Sequence, residues 1–477
     1  MITFFICLVL LVAAYFLYGG ALEKVVKIDP SAEVPSTTHY DGVDYMPLPK
    51  WRIFLIQLLN IAGTGPIFGA ILGACYGPVA FLWITLGGIL MGAMHDFVAG
   101  VISLRNDGRS LPETIGKYLG KNMYRLSMVV IPILMILVGG VFIVTPSKIL
   151  ASMTDMPYLV WVGVVIVYYF IATILPVDKI IGKIYPLFGA ALIFMALAMF
   201  GVVVFGDYEV PELLSFDNQH FKAEALPIIP TLFISIACGA ISGFHATQSP
   251  LMARCVTNEK QCRPVFFGAM IAESVIALIW AAVAMAFFGG VEGLNGFMAD
   301  NGNDAGLAVS HISLTTLGIA GSVLALLGVV AAPITSGDTA FRSARLIVAD
   351  MLNIDQKPIF KRLLVSLPLF ALGVGIAFID FDVIWRYFAW SNQTLAVFTL
   401  WMISAWLMRR KSKYSFLAII PAVFMTFICS SFVFVSGQFI GMGATPMAYA
   451  YGAVVTVVVA VAALYKINKD VKNGAEI

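Results

Sequence analysis

The sequence predicts an all-α integral membrane protein with twelve or thirteen spanning helices. Of its 477 residues, 60% are hydrophobic and 12% are charged, about half the charged fraction of an ordinary soluble domain. Apolar runs of about 20 residues, long enough to cross the hydrocarbon core of a bilayer, recur along the chain. We therefore expect the lipid bilayer as a partner and no separate soluble domain. The net charge of +2 gives no support for nucleic-acid binding.

Thirteen apolar runs are candidates for spans. They lie near residues 2–19, 53–75, 78–103, 124–145, 157–175, 184–205, 228–253, 265–288, 312–340, 363–379, 384–407, 415–434 and 446–465. We expect the first run to be a retained span, because it has neither a basic leading segment nor a small-residue cleavage pattern.

The distribution of basic residues predicts the orientation of the chain. If the N-terminus lies outside, all but three of the 29 Lys and Arg residues fall on the cytoplasmic side, the exceptions being Lys148, Lys222 and Arg386. Such asymmetry follows the positive-inside rule. The prediction is a multi-pass protein of the inner or plasma membrane with its C-terminus in the cytoplasm.

Two spans contain small and helix-breaking residues in their middle. The second span has them between Asn60 and Gly69, and the seventh between Cys238 and Pro250. The two spans are five apart and cross in opposite senses, which is typical of an inverted repeat. We expect five-helix halves at residues 53–205 and 228–407. A span with a cytoplasmic loop at 1–52 precedes them, and accessory spans with a short tail at 415–477 follow.

A helix interrupted inside hydrocarbon leaves main-chain N–H and C=O groups unpaired, at several kcal/mol each. We therefore expect a substrate to bind at the two interruptions, with a polar run in the eleventh span beside them. The alternative is that glycine and proline only permit close helix packing. The predicted substrate-binding residues are Asn60, Gly63, Thr64, Gly65, Ser242, Gly243, His245, Asn392 and Gln393.

Ionisable residues inside spans are costly and therefore candidates for function. His95, Asp96 and Glu273 lie within predicted spans, and His245 lies at the second interruption. Together they could form a proton relay, because a histidine near a carboxylate can titrate in the physiological range. The alternative is structural: Asp96 bonds a neighbouring interruption, and Glu273 pairs with backbone donors.

A second candidate ion site combines hydroxyl and carbonyl oxygens. Thr335 and Ser336 are adjacent in the ninth span, and the first interruption could add main-chain oxygens at Ala62 and Gly65. Hard oxygen ligands of this kind suit Na⁺. Alternatively, both hydroxyls bond the carbonyl one turn back along their own helix. We expect no cofactor other than Na⁺ or H⁺ as a coupling ion.

The cysteines do not predict a metal centre. Cys255 and Cys262 share a loop but lack a zinc-binding spacing. We expect all six to be reduced and structural. They are Cys7, Cys75, Cys238, Cys255, Cys262 and Cys429.

Several motifs together resemble those of one known family. They are Gly65-Pro-Ile-Phe-Gly-Ala, Gly92-Ala-Met-His95-Asp96-Phe, Ser242-Gly-Phe-His245-Ala, Ile334-Thr-Ser336-Gly-Asp338-Thr-Ala-Phe-Arg342 and Trp390-Ser-Asn392-Gln393-Thr. In these motifs and their order, over roughly residues 50–400, the sequence resembles the carbon starvation protein A family. The resemblance implies a bacterial inner-membrane transporter for peptides or pyruvate, induced when carbon is scarce, with a LeuT-type fold. It also implies a sodium site between the first and eighth core helices, where Thr335 and Ser336 lie.

The leading hypothesis is a symporter, not an enzyme, for a small carboxylate or peptide. A carboxylate would rest on the N–H groups at residues 63–69 and 242–245, where helix dipoles favour anions. Two alternatives stay open. One is a transporter-like nutrient sensor, and the other is a membrane enzyme with a metal held by His95, Asp96 and His245.

Overall fold

The protein is helical throughout the part of the chain that the structure describes. The structure is a computed structural model that describes residues 1–42, 44–174, 185–356 and 358–474. Side chains 319–322, 324–326, 381 and 382 are likewise outside the description. No strand occurs within these described ranges.

The helices follow the apolar runs of the sequence. They are α1 (Ile2–Val26), α2 (Pro35–Thr38), α3 (Lys50–Ile61), α4 (Ala70–Ala74), α5 (Val79–Leu82), α6 (Met94–Leu104), α7 (Leu111–Leu119), α8 (Lys121–Met153), α9 (Tyr158–Ile174), α10 (Tyr185–Phe205), α11 (Phe233–Ser235), α12 (Gly243–Ala253), α13 (Gly268–Phe287), α14 (Val291–Asp300), α15 (Ala305–Leu352), α16 (Ile359–Ile376), α17 (Phe381–Arg409), α18 (Phe416–Val435) and α19 (Pro446–Lys472). Wider π-helical turns cover Gly65–Gly69, Trp83–Ala93, Ile228–Leu232 and Arg263–Phe267, and a short 3-10 turn covers Glu259–Gln261.

The described helices are those of a multi-pass membrane protein. Eight of them are long and apolar enough to cross a bilayer, and the bent pair made by α3 and Gly65–Ala74 gives a ninth. The predicted ninth and eleventh spans lie inside the longer helices α15 and α17. The predicted fifth span corresponds to the shorter apolar helix α9. The predicted ends of two spans at residues 175 and 184 lie outside the described residues.

Burial separates central from peripheral helices. In Glu259–Phe287, which contains α13, 83% of the residues in an 18-residue apolar stretch are buried. The corresponding share is 28% for α1 and 17% for α19. The exposed side chains of the peripheral helices are themselves apolar, for example Leu17 on α1 and Val458 on α19. Apolar side chains on an outer surface are expected where lipid chains, not water, surround the protein.

The central helices bring the predicted functional segments together. α12 packs on α6, α3 and α17, and α13 packs on the segment that follows α3. α8 and α15 form an extensive pair on another side of the site. α15 changes direction at Gly318, whose φ of 62° lies in the left-handed region that glycine adopts without steric cost.

Candidate functional site

The first interruption lies where the sequence predicts it. α3 ends at Ile61, residues 62–64 leave the helical path, and the chain resumes at Gly65 with its axis bent by 56°. Pro66 occupies the first turn of the resumed segment, where its missing N–H has no partner to lose. The carbonyl of Thr64 accepts the N–H of Phe68 at 2.8 Å and so anchors the new segment.

Three buried side chains at the first interruption lack partners. The polar side-chain atoms of Gln57, Asn60 and Thr64 have no hydrogen bond to any described residue, and all three residues are fully buried. A buried polar group left unpaired costs about 1–3 kcal/mol. These amides and this hydroxyl are therefore the groups to which a polar ligand would bond.

The second interruption lies directly against the first. Residues 236–242 are not helical, and Gly239 has a φ of 91°. A Cβ placed on Gly65 would lie 2.2 Å from the Cβ of Cys238 and 2.3 Å from its Sγ. The two interrupted helices thus meet at a point where only glycine fits.

Asn392 of α17 is hydrogen-bonded to the N-terminus of α12, the half-helix that follows the second interruption. Its Oδ1 accepts the N–H of Phe244 at 2.7 Å, and its amide exchanges hydrogen bonds with the hydroxyl of Ser242 at 2.9 and 3.1 Å. Gly243 permits this approach, because a Cβ there would lie 2.3 Å from the main-chain nitrogen of Ala396. The N–H of His245 donates to the carbonyl of Ser242 at 3.3 Å. Two of the amides expected to be free for a carboxylate are therefore already bonded within the protein.

Four ionisable residues predicted on three different spans form one buried chain. Asp96 bonds the Nδ1 of His95 at 2.7 Å through one oxygen and the Nδ1 of His245 at 2.8 Å through the other. The Nε2 of His245 lies 3.4 Å from a carboxylate oxygen of Glu273, without hydrogen-bond alignment. All four residues are fully buried. The chain links α6, α12 and α13 and could pass a proton among them.

Both hydroxyls proposed for Na⁺ are already hydrogen-bonded, and only that of Ser336 contacts the end of α3. Ser336 of α15 donates to the carbonyl of Leu59 at 3.0 Å, so this part of α15 faces the end of α3. Thr335 bonds the carbonyls of Ala331 and Ala332 in its own helix, at 3.0 and 2.9 Å. The back-bonded alternative therefore describes Thr335, whereas Ser336 reaches across to Leu59 of α3, three residues before Ala62.

Gln393 points away from its neighbour Asn392. Its Nε2 donates to the carbonyl of Phe233 at 3.1 Å, on the segment before the second interruption, while its Oε1 has no bond to a described residue. Gln393 therefore bonds the segment before the second interruption, whereas Asn392 bonds the segment after it.

A histidine outside the spans lies in a cavity that also includes Tyr76 and Arg386. The ring of His220 stacks on Phe221, with centroids 4.6 Å apart, and its Nδ1 accepts the main-chain N–H of Lys222 at 2.9 Å. Burial, followed by the positive charges of Lys222 and Arg386, lowers the pKa of His220 from 6.5 to about 4. His220 is therefore neutral near pH 7.

Sequence reasoning missed several polar residues of this region. Gln57 lies one turn before Asn60 on α3, a spacing that indicates a shared helix face. Gln248 on α12 is buried with its Oε1 unbonded to any described residue. Asp338, one turn after Thr335, accepts the hydroxyl of Tyr185 at 2.9 Å. Their i, i+3 spacing from predicted residues is the signal that could have identified Gln57 and Asp338.

The fold and this buried polar site define a multi-pass membrane protein of the transporter type. The protein-family model for the carbon starvation protein CstA matches residues 1–158 and 143–327 of this chain. An uncharacterised membrane protein of Haemophilus influenzae is 42% identical over 60% of this chain and 91% of its own length. The chain belongs to the carbon starvation protein CstA family, as its motifs predict.

Two named relatives and one solved structure extend the comparison. The peptide transporter CstA of Campylobacter jejuni is 26% identical, covering 86% of this chain and 76% of that one. The pyruvate/proton symporter BtsT of Escherichia coli is 25% identical, covering 62% and 49% respectively. The crystal structure of a mutant manganese transporter from Eremococcus coleocola superposes with a TM-score of 0.52 at 12% identity, covering 94% of this chain and 99% of that one. The last likeness concerns the fold alone.

Proposed function

We propose that this protein is a secondary active transporter that imports peptides or small carboxylates such as pyruvate across the bacterial inner membrane during carbon starvation. The names of the relatives support both substrate classes. The single observation that carries the coupled mechanism is the buried chain from His95 through Asp96 and His245 to Glu273.

The proposed architecture is a LeuT-type inverted repeat with thirteen spans, the N-terminus outside and the C-terminus in the cytoplasm. Its halves are residues 53–205 and 228–407. The two interrupted helices, one at the start of each half, support this arrangement, as does the similarity in fold to a solved transporter.

In this proposal the substrate binds at the first interruption. Gln57, Asn60 and Thr64 offer amide and hydroxyl groups with no partner among the described residues. A peptide or carboxylate would satisfy them and so recover the cost of burying them unpaired. The second interruption, whose Phe244 amide is bonded by Asn392, would act as a fixed wall of the site.

Protons are the favoured coupling ion. Asp96 accepts from two histidines, so the charge of the buried His95–Asp96–His245–Glu273 chain depends on how many protons these four groups hold. Substrate binding at the first interruption would favour one proton count over another and so bias the equilibrium between conformations. Na⁺ at Ala62, Gly65, Thr335 and Ser336 is the alternative, supported by the bond from Ser336 to the end of α3.

Uptake into proteoliposomes tests the proposal. Labelled pyruvate and a labelled dipeptide are offered under an imposed proton gradient or an imposed Na⁺ gradient. We expect accumulation driven by the proton gradient. It should be lost in Asp96→Asn and kept in Asp217→Asn, a control on an exposed loop residue. Sodium-driven uptake that Ser336→Ala abolishes would replace protons with Na⁺, and no accumulation of either substrate under either gradient would refute the proposal.

A further inference from the structure

Three metal-ligating side chains converge where the two interrupted helices meet. The Sγ of Cys238, a ring nitrogen of His245 and a carboxylate oxygen of Glu273 all lie within 4.8 Å of one another, and all three residues are buried. They come from the second interruption, from α12 and from α13. The geometry points to a binding site for a transition-metal dication of the zinc class at Cys238, His245 and Glu273.

The donor set suits this class of ion. Thiolate, imidazole and carboxylate are the usual zinc ligands, and three protein ligands leave one tetrahedral position open. Bond lengths of 2.0–2.3 Å place tetrahedral ligands about 3.4–3.8 Å apart. The 3.4 Å from His245 to Glu273 already fits this spacing. The rest of the triangle, bounded by 4.8 Å, needs to contract by about 1.0–1.4 Å at most.

The orientation of His245 is that of a metal ligand. Its Nδ1 is bonded to Asp96 at 2.8 Å, which leaves Nε2 directed at Glu273. Histidines that bind metals usually donate their other ring N–H to a carboxylate, which fixes the tautomer and the ring orientation. Asp96 is held in turn by His95 at 2.7 Å, so the supporting carboxylate is itself fixed.

Unsatisfied atoms face the proposed position of the ion. Both carboxylate oxygens of Glu273 and the Nε2 of His245 lack a hydrogen bond to any described residue, although both side chains are fully buried. When Nδ1 donates to Asp96 and Nε2 carries no proton, the lone pair of Nε2 points towards a carboxylate oxygen of Glu273 at 3.4 Å. A cation between the two would bond both atoms, and a dication shared by a thiolate and a carboxylate has no net charge to bury.

The site can bind a metal ion whether or not the protein transports a substrate. An ion bound there would also affect transport. A metal ion at His245 and Glu273 occupies two members of the proposed proton chain and should block proton-driven uptake.

Cobalt is a suitable probe because its thiolate complexes absorb light, whereas those of zinc do not. The purified full-length protein is stripped with a chelator and titrated with Co²⁺. We expect one equivalent to produce a sulfur-to-cobalt charge-transfer band, which Zn²⁺ then removes. The band should vanish in Cys238→Ser and persist in Cys429→Ser, which changes another buried cysteine. Loss of an outer-shell carboxylate costs roughly 10–100-fold in affinity, so Asp96→Asn should weaken binding by that factor.

A second measurement needs no variant. X-ray absorption at the zinc edge of the loaded wild-type protein should show one sulfur ligand with nitrogen or oxygen ligands. A shell without sulfur, no cobalt band at saturating Co²⁺, or an unchanged band in Cys238→Ser would overturn the inference. Failed uptake with intact cobalt binding would remove the proposed transport function and leave the metal site standing.

Discussion

Asn392 should stabilise the N-terminus of α12, and replacing its side chain should lower the local stability of that helix end selectively. Asn392→Ala leaves the buried N–H of Phe244 without its 2.7 Å acceptor and Ser242 without its 2.9 Å donor. An unpaired buried donor costs about 1–3 kcal/mol. With the 0.5–2 kcal/mol typical of a lost helix cap as a check, we expect a loss of about 2 kcal/mol in local stability.

Hydrogen exchange followed by mass spectrometry measures this change. A loss of about 2 kcal/mol should speed exchange of the Phe244 amide by about 30-fold, with little change in the peripheral helix α19. Asn392→Asp is the matched control, because it keeps an oxygen acceptor at a helix N-terminus, where negative charge is favoured. Equal exchange at Phe244 in wild type and Asn392→Ala would refute the capping role, as would equal acceleration by the Asp and Ala variants.

Three further outcomes follow from the same geometry. Gly65→Ala should lower the free energy of unfolding by about 1–3 kcal/mol through overpacking, whereas Gly163→Ala should not, because a Cβ there would have no atom within 4 Å. Adding Cys238→Gly should restore the thermal stability that Gly65→Ala loses, and failure to restore it would contradict the contact between Gly65 and Cys238. Asp96→Asn should reduce proton-driven uptake to the level of protein-free liposomes, and undiminished uptake would exclude the buried chain as the coupling path. The folded-state pKa of His220 is lowered from 6.5 to about 4, so its stabilisation is present above pH 6.5 and lost as pH falls to 4, by up to about 3 kcal/mol. The protection factors of residues 218–222, which divide out the intrinsic pH dependence of exchange, should fall over that range in wild type but not in His220→Gln, and identical pH profiles of these protection factors would disprove it.

The interruptions could be predicted because the reason for them is local. Glycine and proline near the middle of a span disfavour a continuous helix whatever surrounds them, and the structure leaves the helical path just before Gly65 and Gly243. The structure also brings together the four ionisable residues that the sequence suggested as a relay, His95, Asp96, His245 and Glu273. Ionisable side chains inside a bilayer usually pair with one another. Family motifs reinforced both predictions.

The partners of these groups could not be predicted from one sequence. Asn392 was expected to face a substrate, yet it lies 148 residues from the Phe244 amide that it bonds. Cys238 was expected to be a reduced, structural thiol like the other five cysteines, whereas the fold sets it near His245 and Glu273. Such pairings depend on how helices cross, which hydrophobic periodicity leaves undetermined.

The contact between Gly65 and Cys238 couples the two interrupted helices mechanically. A methyl group would not fit between them, so neither segment can slide towards the other. If access to the site alternates between the two sides of the membrane, the movement cannot bring these segments closer and must either separate them or carry them together. In the second case the surface that slides lies between this pair and the surrounding helices.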